Sequence, residues 1–405
     1  MSKSLSEIGI PSLFASASSR NDVLIDRLGQ LTNLKFICFN DINEEIYLYH
    51  KIKRRKLMKV NREQILDALR SVMDPDLKRD VVSLGFIKDL MIDGGRVSFN
   101  LELTTPACPL KAQLKAAAEE AVRRIDGVRE VHIEVTSNVS THRAQAEEEI
   151  LPGVKNIVAI ASGKGGVGKS TVCVSLSVAL ARTGARVGLL DTDIYGPSIP
   201  IMMGVKEQTE IKEQRLIPIV KYGVKLMSLG FLISEETPLI WRGPMVMKAV
   251  EQLLTDVEWG ELDYLLVDLP PGTGDVQLTL AQKVPMTGAV IVTTPQDVAL
   301  LDVVRGISMF RKLNVPILGI VENMSFFLCP QCGERSDIFS HGGGEAASRK
   351  LDVPFLGEVP IDLKIRTGGD IGKPILIEAP ESNQSKVFIE IAEQLAARIS
   401  VLGIG

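Results

Sequence analysis

The sequence predicts an α/β protein in which a small α+β domain precedes a larger domain built on a mainly parallel sheet. After residue 156, short apolar segments alternate with helical patterns, and they lie at 157–161, 187–190, 224–228, 264–267, 289–293 and 317–321. Strands this continuously apolar are buried on both faces, which is typical of a parallel sheet covered by helices. The 405 residues are 45% hydrophobic, so two or three domains with sizeable cores are expected.

Residues 1–57 do not resemble part of a compact domain. The segment begins Ser-rich and ends in a basic run, Lys51–Lys56. It lacks the apolar core of a secretory signal, and the acidic stretch Asp41–Glu45 fits a transit peptide poorly. We interpret it as a disordered or misassigned extension before Met58. The basic run is more typical of a solvated tail than of a nucleic-acid or localisation patch.

The predicted α+β domain spans residues 58–140. Asn61 with Gln64 three residues later predicts a capped helix start, and the apolar residues Ile65, Leu69 and Val72 follow at helical spacing. The helix is expected to stop at Asp74-Pro75. A Gly94-Gly95 turn between two strand-like segments, a second amphipathic helix and a strand at about 129–137 complete the order α-β-β-α-β.

This domain resembles the small iron-sulfur assembly domain of the SufT type, on the residues Asp74-Pro75, Val81-Val82, Leu84-Gly85 and Thr104–Pro109. Cys108 lies in a loop just before a helix, and the helix dipole is expected to lower the pKa of its thiol. Two interpretations stay open: a contact to a metal or cluster, or a small, partly buried hydrophobic side chain. One cysteine alone cannot hold a cluster.

Residues 141–154 are polar, then acidic, and include Pro152-Gly153, so they are predicted to form a linker to the larger domain at 155–405. Near its start, an apolar run, Val158–Ala161, leads into the motif GKGGVGKST and then into a helical pattern. A glycine, four residues, and then Gly-Lys-Ser between a strand and a helix is a phosphate-binding loop.

The chemistry of this loop follows from its residue types. Glycines let backbone N–H groups converge on phosphate oxygens, and the helix N-terminus adds partial positive charge. Lys169 supplies a charge for the outer phosphates and Ser170 a hydroxyl for Mg²⁺. The predicted nucleotide-binding residues are Gly163, Lys164, Gly165, Gly166, Val167, Gly168, Lys169, Ser170 and Thr171. Lys164 is a second lysine that an ordinary phosphate loop does not need.

Polar residues follow three of the other predicted strands. Asp191 and Asp193 end one strand and Asp268 ends another, at the sheet edge where ligands bind in such folds. Carboxylates there suit Mg²⁺ through water, or the orientation of an attacking water. Gly272 can offer its N–H to a γ-phosphate. Asn323 ends a third strand and can either bind a base edge or form a turn.

The chain has five cysteines, too few and too scattered for a disulfide framework, which favours a reducing, cytoplasmic compartment. Cys173, in the helix after the loop, is expected in the core.

Cys329 and Cys332 place two thiolates on one tight turn, but zinc or [4Fe-4S] needs four ligands. Two subunits contributing one pair each complete the set. Zinc and redox chemistry stay open at this turn. His341 is either an extra zinc ligand or part of a glycine-rich loop.

With both lysines, the loop resembles those of the deviant phosphate-loop ATPases: ParA, MinD, the nitrogenase iron protein and the Mrp (ApbC) carriers. The motifs DTDIYGPS, DLPPGTGD and ENMS followed by C-x-x-C are most similar to the Mrp branch. The resemblance implies a homodimeric ATPase that binds an iron-sulfur cluster and passes it to apoproteins. It implies that Lys164 reaches the partner's nucleotide, that Asp193 positions the attacking water, and that Asn323 and Val359–Asp362, including Pro360 and Asp362, border adenine.

The combined hypothesis is a cytoplasmic carrier that uses ATP, Mg²⁺ and a [4Fe-4S] cluster bridging two subunits, with [2Fe-2S] still open. The expected partners are a second copy, apo iron-sulfur proteins and cluster assembly factors. A net charge of −4 gives no general case for nucleic acid or anionic membranes. A ParA- or MinD-like positioning ATPase would need a basic amphipathic helix, but the C-terminal segment is of mixed charge and is expected to pack on the core. A metal-free assembly scaffold is the third alternative.

Overall fold

An eight-stranded sheet dominates the computed structural model, which describes residues 60–141, 151–193, 196–231, 243–272 and 274–402. The predicted extension 1–57 and most of the predicted linker lie outside these residues. Residues 61–405 form one compact unit. The division into domains at 58–140 and 155–405 stays a proposal. Below, residues 60–141 are called the amino-terminal module and residues 151–402 the sheet region.

The amino-terminal module contains α1 (Arg62–Leu69), β1 (Met73–Asp74), β2 (Arg79–Asp80), β3 (Ile87–Asp93), β4 (Arg96–Leu103), α2 (Lys111–Arg123) and β5 (Glu130–Ser137). β4 lies centrally in a three-stranded sheet, antiparallel to β3 and parallel to β5. The order of the main elements matches the prediction. Buried side chains alternate along β4 because one face packs on the helices.

The first helix starts as predicted and ends earlier than predicted. The side chain of Asn61 accepts from the N–H of Gln64 at 2.9 Å, and the Gln64 side chain returns the bond, which completes a capping box. The helix ends at Leu69 rather than at Asp74-Pro75. Ser71 bonds the carbonyl of Ala68 through its hydroxyl at 2.6 Å, which favours a turn over another helical residue. Val72 is buried, but it lies beyond the end of the helix.

The sheet region contains, in chain order, β6 (Val154–Ala161), α3 (Lys169–Arg182), β7 (Val187–Asp191), α4 (Ile199–Met202), β8 (Glu210–Lys212), β9 (Arg215–Ile217), β10 (Ile219–Lys221), β11 (Val224–Ser228), a 3₁₀ turn (Leu229–Phe231), α5 (Gly243–Thr255), β12 (Leu262–Asp268), α6 (Asp275–Lys283), β13 (Gly288–Thr293), α7 (Asp297–Lys312), β14 (Ile317–Glu322), β15 (Phe327–Leu328), β16 (Arg335–Ser336), α8 (Gly343–Leu351), β17 (Phe355–Glu358), α9 (Leu363–Asp370), α10 (Ile375–Glu378) and α11 (Asn383–Leu402). β6 begins at Val154, so the last residue of the predicted linker belongs to the sheet.

The strand order in the large sheet is β10-β11-β7-β12-β6-β13-β14-β17. Only the β10–β11 pair is antiparallel; the other pairs are parallel, as predicted. Two apolar cores lie on the faces of the sheet, and the C-terminal helix α11 packs into one of them through Phe388, Ile391 and Leu395. Among the described helices, none is long and apolar enough to cross a membrane.

The amino-terminal module is joined to the sheet region by a buried contact. Ala107 lies in the core cluster that includes α3 and α11. The hydroxyl of Thr105 lies 2.9 Å from that of Tyr264, and Tyr264 is fully buried on β12. The loop Thr104–Pro109 therefore packs against the sheet region through an apolar contact and a hydrogen bond.

Candidate nucleotide and cysteine site

The phosphate loop connects β6 to α3, as the motif predicts. Gly166 and Gly168 have φ values of +81° and +78°, in the left-handed region that glycine adopts without strain. A Cβ on Gly168 would also lie 2.2 Å from the amide nitrogen of Asn323. That amide donates to the carbonyl of Val167 at 2.9 Å. The Asn323 side chain therefore holds the phosphate loop at Val167 through this hydrogen bond.

The loop opens into a cavity of about 780 Å³. Its lining includes the loop residues Lys164, Gly165, Gly166, Gly168, Lys169, Ser170 and Thr171 together with Asp193, Asn323, Pro360 and Asp362. These predicted residues thus line one continuous space, although they come from four separate chain segments. The lining does not include five other residues predicted to bind the nucleotide: Gly163, Val167, Asp191, Asp268 and Gly272. Met324, Ile338 and Phe339 add apolar surface that the sequence analysis did not identify.

Lys169 and Ser170 line the phosphate end of the cavity, and the fully buried Asp268 contacts both of them. Lys169 Nζ lies 2.7 Å from Asp268 Oδ1, and Ser170 Oγ donates to Asp268 Oδ2 at 2.6 Å. Burial raises the pKa of Asp268, while Lys169 and Ser170 oppose that shift. A hydroxyl and a carboxylate side by side are oxygen donors of the kind that Mg²⁺ prefers, so this pair fits the ion.

Asp191 lies opposite Asp268 in register on the neighbouring strand β7. Burial and the nearby Asp268 raise the pKa of Asp191 to about 7, although it accepts from Ser228 Oγ at 3.0 Å and from the N–H of Asp193. Two buried carboxyl groups at adjacent strand ends cannot both ionise cheaply. A bound cation would lower the pKa of both groups.

Lys164 and Gly272 have partners within this chain. Lys164 Nζ donates to Gln296 Oε1 at 3.2 Å, and the N–H of Gly272 donates to the carbonyl of Ser162 at 3.0 Å. The Lys164 ammonium has three N–H donors, so it keeps two for a phosphate, whereas the single N–H of Gly272 would have to leave the Ser162 carbonyl to bind one. Gln296 comes three residues after the end of β13, so the rule that ligands bind at strand ends could have identified this loop from the sequence.

Cys329 and Cys332 lie on the turn between β15 and β16. The N–H of Cys329 donates to the carbonyl of Glu334 at 2.9 Å, and that of Gly333 donates to the carbonyl of Cys329 at 2.8 Å. Hydrogen bonds from the Cys332 and Gln331 backbones lower the pKa of the Cys329 thiol. Cys332 is exposed. Two accessible sulfur ligands, one of them with a lowered pKa, suit iron or zinc.

This hairpin is attached to the cavity wall. Phe327 forms a bridge with Ile361, and the N–H of Ile361 donates to the carbonyl of Phe326 at 2.7 Å. Ile361 lies between Pro360 and Asp362, and all three line the cavity. The cysteine hairpin is therefore joined to the adenine side of the cavity by backbone pairing between the two segments.

The structure corrects the prediction for Cys108. The thiol does precede helix α2, but burial raises its pKa, and Asp74, Asp76 and Glu393 add to that shift. A hydrogen bond from the Leu110 backbone acts in the opposite direction without overcoming burial. Cys173 is fully buried in α3, as predicted. His341 lies 3.5 Å from Glu358 and contacts Arg335, so it belongs to an ionic cluster.

A glycine-rich loop that turns from a strand into a helix, at the carboxyl edge of a parallel sheet, defines a P-loop NTPase. The family model described as NUBPL iron-transfer P-loop NTPase matches residues 153–396, and that of the iron-sulfur cluster assembly protein matches residues 62–135. The chain belongs to this family of iron-transfer P-loop NTPases, with an assembly-type module before it. This confirms both resemblances inferred from the motifs.

Relatives of 40–51% sequence identity cover more than half of this chain. The iron-sulfur cluster carrier protein of Synechocystis sp. is 50% identical over 348 residues, which cover 84% of this chain and 99% of that protein. The iron-sulfur cluster transfer protein NUBPL of Dictyostelium discoideum is 51% identical over 267 residues, which cover 65% of this chain and 83% of that protein. The nucleotide-binding protein of Archaeoglobus fulgidus, solved with ADP and cobalt, is 40% identical with a TM-score of 0.51, covering 57% of this chain and 91% of that one.

Proposed function

We propose that this protein is an ATP-hydrolysing iron-sulfur cluster carrier. In this proposal, two copies hold one cluster between their Cys329–Cys332 pairs and transfer it to apoproteins, in exchange with cluster assembly factors. The observation that carries the proposal is the backbone pairing of the cysteine hairpin, at Phe326 and Phe327, with Ile361 of the cavity wall. The carrier names of the Synechocystis and Dictyostelium relatives support the same cargo.

The nucleotide chemistry follows from the residues at the phosphate end of the cavity. Lys169 neutralises charge on the outer phosphates, and Ser170 with Asp268 would hold Mg²⁺, which shields the phosphate charge during hydrolysis. The Lys169 ammonium has three N–H donors, so it can bind a nucleotide phosphate beside Asp268 or in its place. Asp193 lines the cavity and is assigned the orientation of the attacking water. Lys164 is assigned to the nucleotide of the partner subunit.

The cargo chemistry follows from counting ligands. One chain supplies two thiols at the hairpin, and a [4Fe-4S] cluster needs four ligands. A two-fold axis through the hairpin brings in the second pair. The four cysteines in the described part of the chain carry free thiols, which fits a carrier in the reducing cytoplasm.

The test is anaerobic reconstitution of the full chain with iron and sulfide. We expect the wild type to hold a cluster and to pass it to an apo iron-sulfur protein. The double variant Cys329→Ala with Cys332→Ala should lose both properties, while Cys108→Ala serves as the matched control and keeps them. Unchanged cluster content and transfer in the double variant would refute the proposal. Lys169→Ala should separately abolish nucleotide turnover.

A further inference from the structure

Arg335 occupies the strand that returns from the cysteine turn, and its side chain makes contacts in several directions. The guanidinium carbon lies 4.0 Å from the ring centroid of Phe326. Nη1 lies 3.6 Å from Glu358 Oε1, and Nε donates to Asp337 Oδ1 at 3.0 Å. Phe326 and Glu358 belong to the two segments that run into the cavity wall. A single cation therefore holds the cysteine hairpin against both segments.

Glu358 is in turn tied to the carboxyl end of β14. Ser325 Oγ lies 2.6 Å from Glu322 Oε1 and 3.0 Å from Glu358 Oε2. A serine has one hydroxyl proton, so it donates to only one of these carboxylates at a time. Glu322 is fully buried and also accepts from the N–H groups of Gly342 and Gly344. When Ser325 donates to Glu322, Glu358 keeps its contacts with Arg335 and His341.

Charge balance explains why a cation belongs at this point. Glu322, His341 and Glu358 each offer one ligand-type atom, and these atoms lie within 4.8 Å of one another. Two carboxylates this close need positive charge between or beside them. Arg335 supplies it, since its Nη2 lies 2.7 Å from His341 Nδ1 while Nη1 faces Glu358.

We infer that Arg335 is a positioning residue that couples the orientation of the Cys329–Cys332 hairpin to the occupancy of the nucleotide cavity. The inference rests on the proposed function, because it concerns the same cysteine pair. Ser325 directly follows Met324, and Glu358 comes two residues before Pro360; both Met324 and Pro360 line the cavity. A nucleotide that moves either segment moves one side of the ionic cluster, and Arg335 passes that movement to the hairpin.

The experiment measures alkylation rates of Cys329 and Cys332 in reduced, cluster-free, full-length protein in the presence of Mg²⁺, with and without a non-hydrolysable ATP analogue. For the wild type we expect the analogue to change the rates at least about fivefold, a typical size for coupling between two sites. Arg335→Gln should reduce the response to less than about twofold while still binding the analogue. Arg335→Lys should restore part of it. Arg349→Gln is the control, since Arg349 is exposed and pairs only along its own helix with Glu345.

Glu358→Gln removes the same ion pair from the other side and should reproduce the loss, which guards against a folding defect peculiar to one variant. A full nucleotide response in Arg335→Gln and Glu358→Gln, or none in the wild type, would overturn the inference. The readout uses no cluster, so it is independent of the reconstitution test. The wild type can hold and transfer a cluster while the thiols of Arg335→Gln keep their full response to the analogue. That combination refutes only the role of Arg335 and leaves the proposed function intact.

Discussion

Lys169 and Asp268, 99 residues apart in the chain, form an ion pair of 2.7 Å in which both side chains are almost completely buried. The pair joins the helix after the phosphate loop to the end of the neighbouring strand. Asp268 also accepts from Ser170, so one carboxylate contacts both the lysine proposed to bind phosphate and the hydroxyl proposed to bind Mg²⁺. The phosphate end of the cavity is thus organised around one buried carboxylate that contacts both side chains.

Lys169→Met should destabilise the nucleotide-free protein by about 3 kcal/mol, because it leaves the Asp268 carboxyl group buried without its cation. Chemical denaturation at neutral pH measures this change. Adding Asp268→Asn in a double variant should recover a large part of the loss, since no charge then remains unpaired. A single variant as stable as the wild type would show that the pair contributes nothing to folding.

Asp191 makes the stability of the nucleotide-free protein depend on pH. Its pKa is about 7 in the folded chain, above the ordinary carboxyl value of 3.8, so the folded state binds the proton more tightly than the unfolded state. The stabilisation is complete below about pH 4 and is lost as pH rises towards 7, at up to about 1.4 kcal/mol per pH unit. The Asp191→Asn variant should therefore gain stability relative to the wild type over this window.

Denaturation midpoints of the two proteins between pH 5 and 8, without nucleotide or Mg²⁺, provide the measurement. Their difference should change up to about pH 7 and stay level above it. The experiment contradicts the expectation if the two curves run parallel across the whole range, because Asp191 would then be ionised in the folded protein throughout.

Tyr264→Phe tests the contact between the amino-terminal module and the sheet region. The change removes the buried hydrogen bond to Thr105, so we expect a loss of about 1–2 kcal/mol in thermal or chemical unfolding. Tyr222→Phe is the matched control: its hydroxyl bonds the carbonyl of Gly372 at 2.8 Å within the sheet region, in a half-buried setting. A larger loss for the control than for Tyr264→Phe would speak against a well-packed junction.

The thiols should differ in reactivity in an order set by their environments. Backbone hydrogen bonds lower the pKa of Cys329, whereas burial raises the pKa of Cys108 and raises that of Cys173 further. Because the thiolate is the reactive form, alkylation near pH 7 should modify Cys329 well before Cys108 and leave Cys173 intact until unfolding. Peptide mass spectrometry after timed labelling gives the order. Equal rates for Cys108 and Cys329 would contradict it.

Much of this site is predictable because its signals are local. The glycine spacing, the strand before the loop and the helix after it fall within residues 158–182, and the structure places Asp191, Asp268 and Asn323 at strand ends as expected. The parallel register then forces neighbouring strand ends together. These features depend on short patterns and on one general rule of sheet geometry.

The remainder depends on packing between segments far apart in the chain. The position of Cys108 before a helix predicts a lowered pKa, but contact with other segments buries the thiol and reverses the direction. The partner of Lys164 in this chain, Gln296, is 132 residues away, and the contacts of Arg335 with Phe326 and Glu358 depend on how the hairpin folds back. No periodicity or spacing in the sequence encodes such contacts.

The most direct measurement of the central proposal is the mass of the intact, anaerobically reconstituted protein by native mass spectrometry, with iron and sulfide counted in the same species. The proposal predicts two chains carrying one cluster, and no cluster-bound dimer for the variant lacking Cys329 and Cys332. A cluster held by a single chain, or a cluster-bound dimer that persists without these two cysteines, would contradict it.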